Sequence, residues 1–212
     1  METFGEKFTL ATLAQARELA FHCLKEINQR ITVGINEDQG HKIIQEVCLE
    51  NGSEKFWHPS KFRIASDTMK SFREVSEGKK KLEEGDLYFL DFGPVFLGHE
   101  ADLGDTFQLG NLQFKNPAKE IFELLKNQWK KRNLTGQELY HLGFQMAEDR
   151  GLIFNKKMLG HRISDFPHAI HYRGNLETCN KTPIAGAWVL EVHLIDEEKN
   201  CGYFYEDILI EN

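Results

Sequence analysis

The chain has 212 residues, 41% hydrophobic and 28% charged, which suits one ordinary globular core and a single domain over residues 1–212. Its net charge of -7 argues against nucleic acid or an anionic membrane as the main partner, and no stretch approaches the roughly eighteen apolar residues of a membrane span. The opening residues lack the basic and apolar regions of a signal peptide, so a cytoplasmic location is expected. Cys23, Cys48, Cys179 and Cys201, scattered without C-x-x-C spacing, are expected to be free thiols.

Leu13, Ala16, Ala20, Leu24, Ile27 and Ile31 recur at helical spacing, so a first helix is predicted over roughly residues 10 to 30. A second follows Gly34, with Asn36 as N-cap and Asn51-Gly52 as its stop. Trp57 to Phe72 reads as extended chain and turn, and Lys79-Lys80-Lys81, answered by Glu83-Glu84, as a solvated turn. The segment Gly85 to Asp91 is a turn feeding a strand. From Asp91 to Phe107 the chain is apolar and β-rich on both sides of Leu97-Gly98, the pattern of an antiparallel hairpin. Asn116-Pro117 starts a third helix whose apolar face is Ile121, Phe122, Leu124, Leu125 and Trp129. Thr135-Gly-Gln-Glu138 fits a capping box and opens a fourth through Leu139, Leu142, Phe144 and Met146, ending at Gly151. The remainder is strand and loop.

Side chains alternate along a strand, so in a hairpin with an even-numbered loop, residues an odd number apart share one face. Asp91 and Asp102 are eleven apart, and Glu191 and Glu206, flanking the polar stretch Asp196 to Asn200, are fifteen apart. An acid in the apolar run Trp188 to Ile195 would otherwise be an uncompensated buried charge. Four carboxylates converging on one place require cations, and two divalent ions neutralise them. An isolated Asp in a strand is more often solvated, and an isolated His161 more often a hydrogen-bonded histidine than a ligand; the joint pattern carries the inference. Asp105, Glu100, Asp207 and Glu197-Glu198 read as ordinary surface or supporting groups.

These residues resemble the pita-bread metallopeptidases, the group that includes methionine aminopeptidase, Xaa-Pro aminopeptidase, prolidase and creatinase. Asp91-x-Gly93 with Gly98 and Asp102 resembles the first two ligands of that family. Gly160-His161 resembles its Gly-His segment, with His168 where the family keeps a second, substrate-facing histidine. Gly186 to Glu191 and Gly202 to Glu206 are similar to the segments carrying the last two ligands. The resemblance implies an α+β fold, a curved antiparallel sheet with helices outside, and no separate N-terminal domain. It implies two divalent ions, manganese, cobalt, iron or zinc, with oxygen-rich ligation and one imidazole suiting those metals. Asp91 and Asp102 would hold one ion, His161 and Glu191 the other, with Asp102 and Glu206 bridging.

Two ions a few ångströms apart acidify a shared water. Glu191 is the expected general base, and His168 the donor to the scissile carbonyl or its oxyanion. In this alignment Phe72 replaces a family histidine, and His58 stands as a compensating substrate contact. Arg162 and Ser164 occupy positions where the family has glycines. Arg162 is expected to meet a peptide carboxylate or, as the blander alternative, a surface acid such as Asp165. His171 and His193 are additional imidazoles, supporting or superficial. The expected activity is removal of an N-terminal residue from peptides, leaning to the Xaa-Pro type, by a monomer or homodimer. Methionine aminopeptidase is the runner-up, and a catalytically silent binding protein on the same fold is the reading from another class.

Overall fold

Two helix pairs alternate with strands along the chain in the computed structural model, which describes residues 4–76, 78–167 and 174–210. Helix α1 (Leu10–Arg30) begins where the Thr9 hydroxyl accepts the Thr12 amide, and it buries Leu13, Ala16, Ala20, Leu24 and Ile27. Helix α2 (Glu37–Glu50) opens with a reciprocal Asn36–Gln39 capping box and stops at Asn51. After β1 (Lys55–Ile64) comes a single 3-10 turn (Ala65–Met69), then β2 (Leu87–Phe96), β3 (His99–Glu100) and β4 (Leu103–Gln108). The hairpin turn is Leu97-Gly98, both at positive φ (55° and 67°), which matches the twist of the strands it joins.

The second half repeats the plan with α3 (Pro117–Arg132), α4 (Gly136–Glu148), β5 (Ile153–Phe154), β6 (Val189–Asp196) and β7 (Cys201–Ile208). Asn116 caps α3 ahead of Pro117, and Thr135 and Glu138 form the capping box of α4. Leu124 is 41% exposed, whereas Ile121, Phe122, Leu125 and Trp129 are buried, so the α3 stripe is narrower than its apolar content suggests. On α4 the buried residues are Gly136, Leu139, Tyr140, Gly143 and Ala147, while Leu142, Phe144 and Met146 pack only partly buried at its margin.

The strands form one open antiparallel sheet in the order β1-β2-β4-β7-β6-β5, with β3 beside β2. Leu90, Asp105, Tyr205 and Val192 lie in register across its four central strands and face the helices. On this face α1 and α2 bury Phe62, Ile64, Tyr88, Leu90 and Phe92, and α3 and α4 bury Leu190, Val192, Leu194, Tyr203 and Tyr205. Asp105 and Asp207 point into this layer and are buried, which excludes the surface alternative and leaves them as supporting groups. Each is one residue away from the opposite face, so alternation sends it toward the helices, where a helix residue meets it. Asp105 accepts from Asn116 Nδ2 (2.8 Å) and Lys119 Nζ (3.0 Å), and Asp207 receives both ends of the Arg17 guanidinium. Glu100 is buried as well, and its carboxylate accepts from Ser164 N at 3.3 Å. All four cysteines are buried free thiols, and among the described residues no helix is long and apolar enough to cross a membrane.

Removing the cation from the Arg17–Asp207 pair leaves a buried carboxylate that only the charge of Lys126 still offsets, without Arg17's direct contact. Arg17→Met, which keeps the apolar stem, is expected to destabilise the fold by about 3 kcal/mol in denaturant unfolding. A change within about 0.5 kcal/mol would mean that Asp207 has a second sufficient partner.

Candidate metal centre

On the face away from the helices, Asp91 of β2 pairs with Gly104 of β4, Gly104 with Glu206 of β7, and Glu206 with Glu191 of β6. Three acids thus stand in one row across four strands, with a residue lacking a side chain in the gap. Asp102 lies two residues before Gly104 and therefore on the same face. His161 comes from a loop tied to β6 by the Val189 amide, which donates to the His161 carbonyl at 2.9 Å. All five border one cavity of about 250 Å³, together with His58, Trp57, Phe72 and Met158, and with Arg73 and Lys157.

A backbone amide and a tyrosine hydroxyl fix Glu191. Glu191 Oε2 accepts from Gly160 N at 2.8 Å, and the Glu191 carbonyl accepts from the Tyr140 hydroxyl at 3.0 Å. Gly160 has φ 52°, and a Cβ there would lie 2.4 Å from the Val189 carbonyl, so the Gly-His step needs a glycine. Asp102 is held between two imidazoles. His58 Nε2 is 3.0 Å from Asp102 Oδ1, and His161 Nε2 is 3.1 Å from Asp102 Oδ2 and 4.0 Å from Glu191 Oε1.

Burial raises Asp91 to about 7, reinforced by the charges of Asp102 and Glu191. Glu206, more deeply hemmed in, is pushed well above the carboxylate range by burial and then by Asp102, Asp91 and Glu191. Burial acts on Asp102 in the same sense, but His58 and His161 overcome it and hold that carboxyl below its ordinary value. Desolvation would lower both imidazoles, yet Asp102 lifts His58 to about 9 and His161 to about 10. Without metal, protons on Glu206 and the two histidines stand where cations belong. Glu206 Oε1 finds no hydrogen-bond donor among the described residues, and Asp102 Oδ2 has only the His161 imidazole. Buried, under-satisfied carboxylate oxygens beside imidazole and without thiolate fit a site for divalent ions of intermediate hardness.

The other expected residues divide. His58 belongs to the site and is carried by β1. Arg162 does not face the cavity: it is buried, donates to the Ala187 carbonyl at 2.8 Å and lies over the rings of Phe4 and Trp188. Its neighbour His161 points to the carboxylates, so alternation turns Arg162 away, and neither the peptide carboxylate nor Asp165 is its partner in this arrangement. Ser164 also turns inward, donating to Asp165 Oδ1 at 2.8 Å. His193 is wholly buried, with Nε2 2.8 Å from the Thr68 carbonyl and Nδ1 3.0 Å from Asn155 Nδ2, and burial lowers it to about 4. It is therefore a neutral structural group. His168 and His171 lie outside the described residues. Tyr140 and Trp57 were not singled out in the sequence. The signal for Tyr140 was a polar-tipped aromatic on a buried helical stripe, which needs a partner for its hydroxyl.

Residues 11–209 match the model of metallopeptidase family M24. The chain belongs to that family. Among solved structures, this M24 chain is similar to the X-Pro aminopeptidase from Thermotoga maritima MSB8, with TM-score 0.75 and 17% identity over 100% of this chain and 63% of that one. It is also similar to the prolidase from Pyrococcus horikoshii OT3 (TM-score 0.72, 20% identity, 98% of this chain and 60% of that one). A third is the Xaa-Pro dipeptidase from Bacillus anthracis (TM-score 0.70, 20% identity, 95% and 57%). The chain spans less than two thirds of the length of each. No curated protein sequence matches it. The open antiparallel sheet with helices on one face is the expected α+β pita-bread fold.

Metal must displace the protons held in the site. Titrating metal-free protein with a divalent ion near pH 7 is expected to release on the order of three protons, from His58, His161 and Glu206, read by calorimetry in buffers of different ionisation enthalpy. Stability follows the same linkage. Asp91, His58 and His161 all have folded values raised above their ordinary ones, so their contribution is full at low pH. It is lost as pH rises through about 7 for Asp91 and about 9 to 10 for the histidines. Metal-free protein is therefore expected to lose this stabilisation progressively from about pH 4, through Asp91, to about pH 10, through the histidines, and bound metal to flatten that decline. Absence of proton release would show that the site is not proton-filled.

Proposed function

We propose that this M24 chain is a two-metal aminopeptidase that hydrolyses the bond after the N-terminal residue of peptides, with a preference for Xaa-Pro substrates. The reading rests on the row Asp91, Gly104, Glu206 and Glu191, with Asp102 and His161 closing on the same cavity. Asp91 and Asp102 would hold one ion and His161 and Glu191 the other, with Asp102 and Glu206 shared. Bound there, two divalent ions, manganese, cobalt, iron or zinc, would acidify a water and polarise the scissile carbonyl.

Glu191 supplies the proton acceptor. Its Oε2 is occupied by the Gly160 amide, while Oε1 is on the His161 side, so one oxygen is anchored and the other is available to take a proton and return it to the leaving amine. Tyr140 holds the Glu191 backbone from α4, which keeps the carboxylate from swinging as its charge changes. Trp57, Phe72 and Met158 form an apolar wall that excludes water and suits the flat ring of proline, and Arg73 and Lys157 bring positive charge to a cavity whose floor is acidic. The likeness to proline-directed peptidases favours this specificity over the methionine type.

Elemental analysis of protein reconstituted with manganese or cobalt is expected to approach two ions per chain. Assayed on Xaa-Pro, Xaa-Pro-Xaa and Met-Xaa peptides, the loaded protein should cleave the proline series fastest. A chain with all four acids and His161 intact that binds no metal and cleaves none of them would instead be a binding protein on this fold.

Glu191→Gln keeps the shape while removing the base, and turnover is expected to drop about 10² or more with little loss of folding stability. Near-normal rates at full metal occupancy would remove Glu191 from the role of base.

A further inference from the structure

We propose that His58 is a ligand of the ion held by Asp91 and Asp102, so that each of the two ions takes one imidazole. The inference rests on the two-metal reading above and moves His58 from the wall of the cavity, where a substrate contact was expected, to the metal itself.

The donor atoms of His58, Asp91 and Asp102 lie within 4.8 Å of one another, as do those of Asp102, His161 and Glu206. In the first set, His58 Nε2 is 3.0 Å from Asp102 Oδ1 and 3.8 Å from Asp91 Oδ1. The two histidines are arranged alike around a single carboxylate. His58 Nδ1 is 3.0 Å from the Pro59 carbonyl, and His161 Nδ1 is 3.0 Å from the Arg162 carbonyl, the next residue in each case. An N–H on Nδ1 donated to a carbonyl leaves Nε2 with its lone pair in the neutral ring, the arrangement that metal-binding histidines take. Such a lone pair aimed at two carboxylates is repulsive unless a proton or a metal cation lies between them, and bound metal would take the place of that proton.

The backbone around His58 is built for this direction. Strand β1 slips register on both sides of it, between Phe56 and His58 and again between His58 and Lys61, and bulges of this kind re-aim a side chain beside a site. The facing residue of β2 is Gly93, where a Cβ would stand 2.4 Å from His58 Nε2 and 2.3 Å from Trp57 Nε1. The neighbouring strand is thus emptied to admit the imidazole. Trp57 then locks both rings, with its centroid 4.4 Å from His58 and 5.2 Å from His161 and its Nε1 donating to the Ala101 carbonyl at 2.9 Å, next to Asp102. A second imidazole also changes the chemistry of the pair, since nitrogen donors favour zinc, cobalt or iron over manganese.

Wild-type protein labelled with nitrogen-15 at histidine and loaded with cadmium-113 tests the assignment directly. One-bond coupling to cadmium should split the Nε2 signals of both His58 and His161. The signals are assigned by their loss in His58→Gln and His161→Gln, or for His58 by contact with the Trp57 ring protons if its variant does not fold. His58→Gln is further expected to weaken one of the two binding steps about 10-fold or more in a metal titration and to leave the other nearly unchanged. Splitting at His161 with none at His58 would overturn the proposal and leave the two-metal reading standing. Splitting at neither, in protein that takes up no cadmium, would overturn both.

Discussion

Mutual repulsion among Asp91, Asp102, Glu191 and Glu206 is the constraint on which the rest of the molecule depends. Two unit charges about 4 Å apart repel by about 4 kcal/mol at the effective dielectric of a protein interior near its surface. Several such pairs approach the roughly 5–15 kcal/mol that holds a whole domain together. The fold nevertheless brings the acids to one face, because three of them are fixed by strand register and cannot separate without breaking the sheet. The charge must therefore be met by cations or by protons. The upward shifts of Asp91 and Glu206, and the protonated state favoured at His58 and His161, are the proton solution. Divalent ions would be the other.

Much of this is legible in the chain because strands have a period of two. The hairpin at Leu97-Gly98 and the one joining β6 to β7 each place their two acids on one face by parity alone, and the helix caps at Asn36, Asn116 and Thr135 are written in a few adjacent residues. What joins the two hairpins is not local. Pairing of Gly104 with Glu206 brings together residues about a hundred positions apart, and no pattern in either segment specifies it. The direction of His58 depends on two register slips in β1, which strand periodicity does not anticipate. Arg162 is the opposite case, since the same alternation that recommends His161 as a ligand sends the next side chain away from it. Asp105 and Asp207 follow that rule too, being odd neighbours of residues on the metal face.

The helices contribute to the site without entering it. Tyr140 of α4 reaches the Glu191 backbone, while the Gly160 amide reaches its carboxylate, so the acid is gripped from a helix on one side and a loop on the other. His193, two residues further along β6, is neutral and fixed between Thr68 and Asn155, tying the 3-10 turn and the segment after β5 to the strand that carries Glu191. An apolar cluster of Phe89, Met158 and Phe204, with Phe72 against it, completes the wall beside the acids and keeps the local dielectric low.

Glu206 and Asp207 are consecutive, one facing the acidic cavity and the other clasped by Arg17 of α1, while Asp105, held by Asn116 and by Lys119 of α3, follows Gly104, the backbone partner of Glu206. The Glu206–Asp207 peptide unit thus has a mechanical load on one side and a chemical one on the other, and Gly104 links it through the sheet to Asp105. Sliding α1 or α3 over the sheet would tilt that unit like a lever and change the distance between ligands that neither helix touches. Metal affinity in such a molecule can be tuned from its outer layer, through residues that an inventory of the cavity would never include.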